Sequence, residues 1–201
     1  PAPNPEPTPE PAPIIPNPEP LEPAPEPTPE PTPAPEVPTA PGAVGFSAAY
    51  FELGTSVATL DEVDFDAEPA ATGTIDSLQY LEVNSSFVPE AGADHFAAQY
   101  STVLNVTEAG AHEIFLVADD VARIFIDGVE ILNSSNTEPG DLAALWIDLD
   151  AGVHDLQVQY LEVAGEQSLN LDWVGPSTQG IVEPLSGTVP VGAPVDVEDG
   201  G

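Results

Sequence analysis

The chain has no cysteine, no methionine and one basic residue, Arg123, set against 35 aspartates and glutamates. Without cysteine there is no disulfide framework, and the redox compartment leaves no trace in the sequence. Without lysine, and with a single arginine, there is nothing to neutralise phosphates, so nucleic acid is excluded as a partner. An anionic membrane surface would repel the chain for the same reason. No apolar run approaches the ~20 residues of a membrane-spanning helix, so direct membrane insertion is not expected. The formal net charge of −34 brings self-repulsion, which is tolerated where salt screens it or divalent cations bind. Salty or marine surroundings are the simplest expectation. The chain opens on Pro1 rather than Met, without a signal-peptide pattern, and is expected to be a segment of a longer polypeptide with neighbouring domains.

What is present divides into three. Residues 1–44 are expected to form an extended Pro/Glu-rich linker or stalk. Through position 41 proline takes nearly every second place, with Glu, Thr, Ala and Asn between. Proline fixes its own φ and restrains the residue before it, so the run favours polyproline II. At about 3.1 Å per residue the segment can reach roughly 130 Å. A docking motif for a proline-recognition module is the alternative.

From Gly45, β-type runs recur between turn signals, at 46–53, 77–83, 96–106, 112–117, 123–126, 129–132, 142–149, 153–163 and 168–174. In 153–160, Leu156, Val158 and Tyr160 share a parity with His154, while Asp155, Gln157 and Gln159 take the other. Many short strands without a 3.6-residue period indicate an all-β domain, an antiparallel β-sandwich or barrel, over 45–176. Roughly 130 residues suffice for one core, and Trp146 and Trp173 are expected to help fill it. Residues 177–201, rich in Gly, Pro, Val and Ser, read as a flexible C-terminal linker.

Two local features stand out. Asp127-Gly128 separates two β-branched runs, the strongest short-range hairpin signal, because a type I′ turn needs φ > 0 at both central residues. Asp119 and Asp120 sit where one strand gives way to the next. Neighbouring residues of a regular strand point to opposite faces, so two adjacent carboxylates meet one target only where the backbone is irregular. Such a pair suits a hard cation; a simple turn cap is the other reading.

Three segments in order resemble the protective-antigen N-terminal-fragment family, the "PA fourteen" domain. Gly45-Phe46-Ser47-Ala48-Ala49-Tyr50-Phe51 resembles that family's first strand, Gly-Leu-x-Ala-x-Tyr-Tyr. Residues 110–128, with His112-Glu113-Ile114-Phe115, Asp119-Asp120 and Arg123-Ile124-Phe125-Ile126-Asp127-Gly128, resemble its Gly-x-Tyr-x-Phe, Asp-Asp-Gly and Arg-Leu-Tyr-Ile-Asp-Gly. Leu149-Asp150-Ala151-Gly152-Val153-His154 and Leu171-Asp172-Trp173 resemble its closing strand. The likeness covers about 45–176 and departs at Val121, where the family carries glycine; a β-branched residue resists unusual φ/ψ.

The resemblance implies a non-catalytic carbohydrate-binding module of a large secreted or surface-anchored bacterial adhesin. In lectin-like members, adjacent aspartates joined by a cis peptide hold one Ca²⁺, and vicinal hydroxyls of a glycan complete its coordination. Carried over by position, the metal ligands are Asp119 and Asp120, the Glu162 side chain in place of the usual amide, and the carbonyls of Ala164 and Glu166. Asp119, Asp120, Glu162 and Gln167 would meet the sugar. The alternatives are a structural spacer, whose calcium, if any, only rigidifies it, and an accessory domain of a secreted enzyme.

Other features point to less. The acidic run 61–66 lacks the EF-hand spacing and reads as a solvated loop. His95, His112 and His154 lack metal-ligand spacing. Arg123 is expected to pair with a neighbouring carboxylate. No nucleophile–base pair stands out, and nothing singles out a carboxyl of raised pKa for glycoside hydrolysis, so catalysis is not expected.

Overall fold

The computed structural model describes residues 43–54, 57–83 and 93–189. The proline-rich run through 42 and residues 190–201 lie outside the described part, as do the stalk and docking expectations that fall on them. The described chain is all-β: β1 (Phe46–Glu52), β2 (Ala71–Ile75), β3 (Gln79–Val83), β4 (Phe96–Val106), β5 (Gly110–Asp119), β6 (Val121–Ile126), β7 (Val129–Asn133), β8 (Leu142–Leu149), β9 (Gly152–Glu162), β10 (Gln167–Val174) and β11 (Glu183–Pro184). They form two antiparallel sheets. One has six strands in the order β2-β1-β4-β9-β6-β7; the other has β11-β10-β5-β8, with β3 also paired to β10.

Alternation decides which residues fill the space between the sheets. Along β5, His112, Ile114, Leu116 and Ala118 are buried, while Glu113, Phe115, Val117 and Asp119 turn outward. Leu156, Val158 and Tyr160 are buried on β9, and Leu169, Leu171 and Trp173 on β10. They join Phe46, Tyr50, Phe96 and Tyr100 in one core, where Tyr50 and Tyr100 meet edge to face at 6.0 Å, the arrangement ring quadrupoles favour. The hairpin of β6 and β7 turns on Asp127 (φ 51°) and Gly128 (φ 75°), as a type I′ turn requires.

Two expectations change. Trp146 is 61 % exposed on the outer face of β8, and only Trp173 enters the core. Residues 177–189 are not a linker. Glu183–Pro184 pairs with β10, Leu185 is fully buried, and Thr188 bridges both Val44 and Val103. The N–H of Val189 donates to the carbonyl of Ala43 at 2.8 Å. The segment is held by scattered contacts rather than an alternating stripe, which is why composition alone read it as loose. Residues 43 and 44, expected within the stalk, are thereby part of the sandwich.

Gly175 shows how tightly this end is packed. A Cβ there would lie 2.4 Å from Cδ2 of His112. The His112 ring stacks on Trp173 at 5.2 Å, and its Nε2 accepts the N–H of Ser177 at 3.3 Å.

Candidate ligand site at the paired aspartates

Two chain crossings between the sheets lie side by side. In the first, β5 ends at Asp119, opposite Ser168 in one sheet, and β6 starts at Val121, opposite Leu161 in the other. In the second, β9 ends at Glu162 and β10 starts at Gln167. The register therefore forces Asp119-Asp120 against loop 163–166. A hydrogen bond fixes the meeting: Asp120 Oδ2 accepts the N–H of Val163 at 2.6 Å, with that of Ala164 at 3.4 Å. The Asp119–Asp120 peptide is cis, as the resemblance implies. Val121 is accommodated as a strand residue; positive φ among described non-glycine residues falls on His95, Asp127 and Gln179.

Asp119 ends the outward run of β5 and opens on a hollow of about 520 Å³ lined by Val117, Pro139, Gly140, Asp141, Glu166 and Ser168. Partial burial pushes its carboxyl up, and the charges of Asp120 and Glu166 push the same way. Asp120 faces a separate groove on the six-stranded side, shared with Leu60, Arg123, Asn133, Thr137 and Val163. Ala164 and Glu166 are exposed in the loop between. Beside them Gly165 donates its N–H to Asp94 Oδ1 at 3.2 Å.

Glu162 and Gln167 follow the inward parity of their strands, and both are fully buried. Burial pushes Glu162 up to about 8; a hydrogen bond from Tyr160 opposes the rise, and the charges of Asp120, Asp119 and Asp94 add to it. The Tyr160 hydroxyl lies 2.8 Å from Glu162 Oε2 and also against the carbonyl of Asp119. Here is the carboxyl of raised pKa that the sequence did not single out. Gln167 donates its amide to the carbonyl of Ala93. It braces the segment ahead of β4 rather than facing the hollow. Asp94, Asp141, Tyr160 and Ser168 complete the corner and carry no sequence signal near the aspartates.

Calcium fits what is present. The donors are oxygens, the kind a hard cation takes, and buried Glu162 Oε1 has no hydrogen-bond partner among the described residues. Carboxylates crowd together with no basic side chain to compensate them. Arg123 is held elsewhere, by Asp61 at 2.8 Å and Gln159 at 2.7 Å. Yet no three His, Asp or Glu side chains among the described residues converge closely enough to form a metal site alone. Main-chain and ligand oxygens would have to complete the shell.

The remaining polar candidates are structural. Glu62 caps the short 3₁₀ turn Leu60–Glu62 through the N–H groups of Ala58 and Thr59, and Asp61 holds Arg123. His154 pairs with Asp127 at 2.7 Å.

A family model described as "PA14 domain" matches residues 54–186. No curated protein matches the chain. Among solved structures, an anti-sigma factor domain-containing protein from Clostridium clariflavum is 21 % identical, with a TM-score of 0.58 over 79 % of this chain and 52 % of its own; the chain thus spans about half its length. A structure described as "PA14 sugar-binding domain from RTX adhesin" is 16 % identical, with a TM-score of 0.60 over 72 % of this chain and 96 % of its own. The A domain of epithelial adhesin 9 from Candida glabrata, in complex with Galβ1-3GlcNAc, is 9 % identical, with a TM-score of 0.54 over 76 % and 96 %. At these identities the likeness concerns the fold.

Proposed function

The chain belongs to the PA14 domain family, and on that premise we propose that it is a calcium-dependent carbohydrate-binding module of a secreted or surface-anchored adhesin. The observation that carries the reading is the acid corner: Asp119 and Asp120 adjacent where the chain crosses between the sheets, with Glu166 and Asp141 about the open hollow at Asp119 and no cation to balance them. Asp119 and Asp120 would hold Ca²⁺, with the carbonyls of Ala164 and Glu166 and oxygens of the bound ligand completing the shell and Glu162 beneath. Bound there, the ion would offer open coordination positions to vicinal hydroxyls of a sugar, because calcium takes six to eight oxygens at flexible angles.

The chain's own residues have separable tasks. Asp120 ties the two crossings together through Val163. Tyr160 holds the Asp119 carbonyl from inside, and Glu162 braces the Tyr160 hydroxyl. Of the two aspartates, Asp119 is the one that lines the hollow. Similarity to sugar-binding adhesin domains supports a glycan as partner, and such a role suits a module outside the cell. The fold also occurs in enzymes, a β-glucosidase from Kluyveromyces marxianus among them. Catalysis is disfavoured because, of the two carboxyls raised at this corner, Glu162 is fully buried and cannot reach a substrate, and Asp119 is the one that would face the ion.

A spacer reading has one observation in its favour, the commitment of Asp120 to the Val163 N–H. Calorimetric titration of Ca²⁺ into the EDTA-treated chain, followed by a glycan array with and without Ca²⁺, separates the two. Calcium-dependent glycan binding lost in Asp119→Asn supports the lectin. Calcium binding without any glycan supports the spacer, and no calcium binding overturns the lectin and leaves the spacer.

A further inference from the structure

The hollow at Asp119 does not end at Asp119. Outward residues of β5 run Asp119, Val117, Phe115, Glu113, and the register sets Leu142 opposite Val117, Ala144 opposite Phe115 and Trp146 opposite Glu113. Val117 itself lines the hollow, so hollow and strip are continuous. Along the strip Leu142 is 59 % and Trp146 61 % exposed. β8 is the edge strand of its sheet, and no described strand pairs with its outer flank. At about 3.3 Å of rise per residue, Asp119 to Glu113 spans about 20 Å, the reach of a short oligosaccharide rather than of one ring.

We propose that this strip is an extended subsite that carries a neutral oligosaccharide from the acid corner to Trp146. The inference rests on the function proposed above and names its ligand class. A pyranose offers an apolar C–H face to an indole, whose ring face is negative and ring edge positive, and a rim of hydroxyls to flanking polar groups. Leu142, Ala144 and Phe115 supply apolar floor between the ends. Glu113 beside Trp146, Asp148 further along β8 and Asp172 opposite Phe115 are acceptors for hydroxyls. Their charge, within a chain of net charge −34, turns away uronic, sialylated or sulfated chains. An uncharged glycan is the ligand that fits both the apolar floor and the acidic border.

The two tryptophans make the test direct, since Trp173 is buried and Trp146 is not. The full chain, loaded with Ca²⁺, is titrated with neutral β-linked gluco- and galacto-oligosaccharides from mono- to hexasaccharide, by calorimetry and tryptophan emission. Affinity should rise about tenfold or more from mono- to tetrasaccharide and then level off, with a blue shift of emission only for the longer ligands. Trp146→Ala should remove the gain and the shift while leaving monosaccharide and Ca²⁺ affinity unchanged; Trp146→Phe should restore part of the gain. Equal binding of mono- and tetrasaccharide, abolished by Asp119→Asn, overturns this inference and leaves the proposed function standing. So does a Trp146→Ala variant that keeps full tetrasaccharide affinity, or one that turns an oligomer into a monomer in sedimentation, which would make the strip a contact between copies. Binding of Ca²⁺ with none of the saccharides overturns the proposed function and the inference together.

Discussion

Two acidic corners of this sandwich have the same raw material and opposite accounts. At the β6–β7 hairpin, Asp127 is fully engaged. Its Oδ2 sits 2.7 Å from His154 Nδ1, and its Oδ1 accepts the N–H of Asp155 at 2.9 Å. At the other corner, Asp119 meets the charges of Asp120 and Glu166 and no cation. The first carboxylate is balanced from within the chain and is structural. The second can be balanced only from outside. In a protein with 35 acids, acidity alone says little; an acid whose compensating partner is missing says much more.

The sharpest way to break this contrast is to remove charge from each corner separately. Asp119→Asn with Asp120→Asn should abolish calcorimetrically measurable Ca²⁺ binding, whereas Asp127→Asn should leave it intact. The native chain should bind with a dissociation constant at or below about 10⁻³ M, the weak end for extracellular calcium modules. Stability should move the other way. In EDTA, Asp119→Asn alone relieves like-charge repulsion and should not lower the melting temperature. Asp127→Asn weakens a charge-assisted bond and should cost about 1–2 kcal/mol in urea unfolding. Asp127→Asn that removes calcium binding, or Asp119→Asn that unfolds the apo chain, would erase the distinction.

A packing change offers a control of similar size away from both corners. Gly175→Ala would drive a methyl into His112, with Cδ2 at 2.4 Å and the His112 Cα at 3.0 Å. Overpacking of this kind costs about 1–3 kcal/mol. The melting temperature should fall while calcium affinity in the folded fraction stays the same.

How much of each corner was legible in the sequence follows from how local its interactions are. Asp127-Gly128 could be read directly, because a two-residue turn is specified by its own φ requirements. Asp119 and Asp120 were found through their adjacency and through the motif around them. Asp94, Asp141, Tyr160 and Ser168 could not be found this way, since only strand register brings them to the aspartates. Gln167 was expected at the ligand, yet the parity it shares with Leu169 and Leu171 turns it inward. Trp146 was assigned to the core for a related reason. In Leu142–Leu149 both parities carry large apolar residues, Leu142 and Trp146 on one and Leu145, Ile147 and Leu149 on the other, so alternation does not say which side is buried. Pairing with β5 decides it.

The smaller tests address the balanced side of the comparison. Arg123→Lys keeps the charge near Asp61 but loses the Nε bond to Gln159 and the stacking of the guanidinium over Phe125 at 5.5 Å. Because Asp61 is exposed, the ion pair itself contributes little, and a loss of about 0.5–1 kcal/mol is expected, most of it from the planar contacts a lysine cannot make.

The last test uses pH. Desolvation works against the charged form of His154, but its hydrogen bonds to Asp127 and to the carbonyl of Asp150, together with the nearby carboxylate charges, outweigh it and raise its pKa above the ordinary 6.5. A raised histidine pKa means that the folded state holds its proton more tightly than the unfolded chain does. The stabilisation is therefore complete below pH 6.5 and is lost as pH rises through the folded-state value. Repulsion among the many carboxylates also changes with pH, so the native chain alone is ambiguous. The difference in melting temperature between the native chain and Asp127→Asn isolates the pair. That difference should be larger at about pH 5.5 than at about pH 8.5. A constant difference would mean that His154 is neutral throughout and that Asp127 acts through the Asp155 N–H alone, leaving the hairpin corner without the internal cation that sets it apart from the aspartate pair.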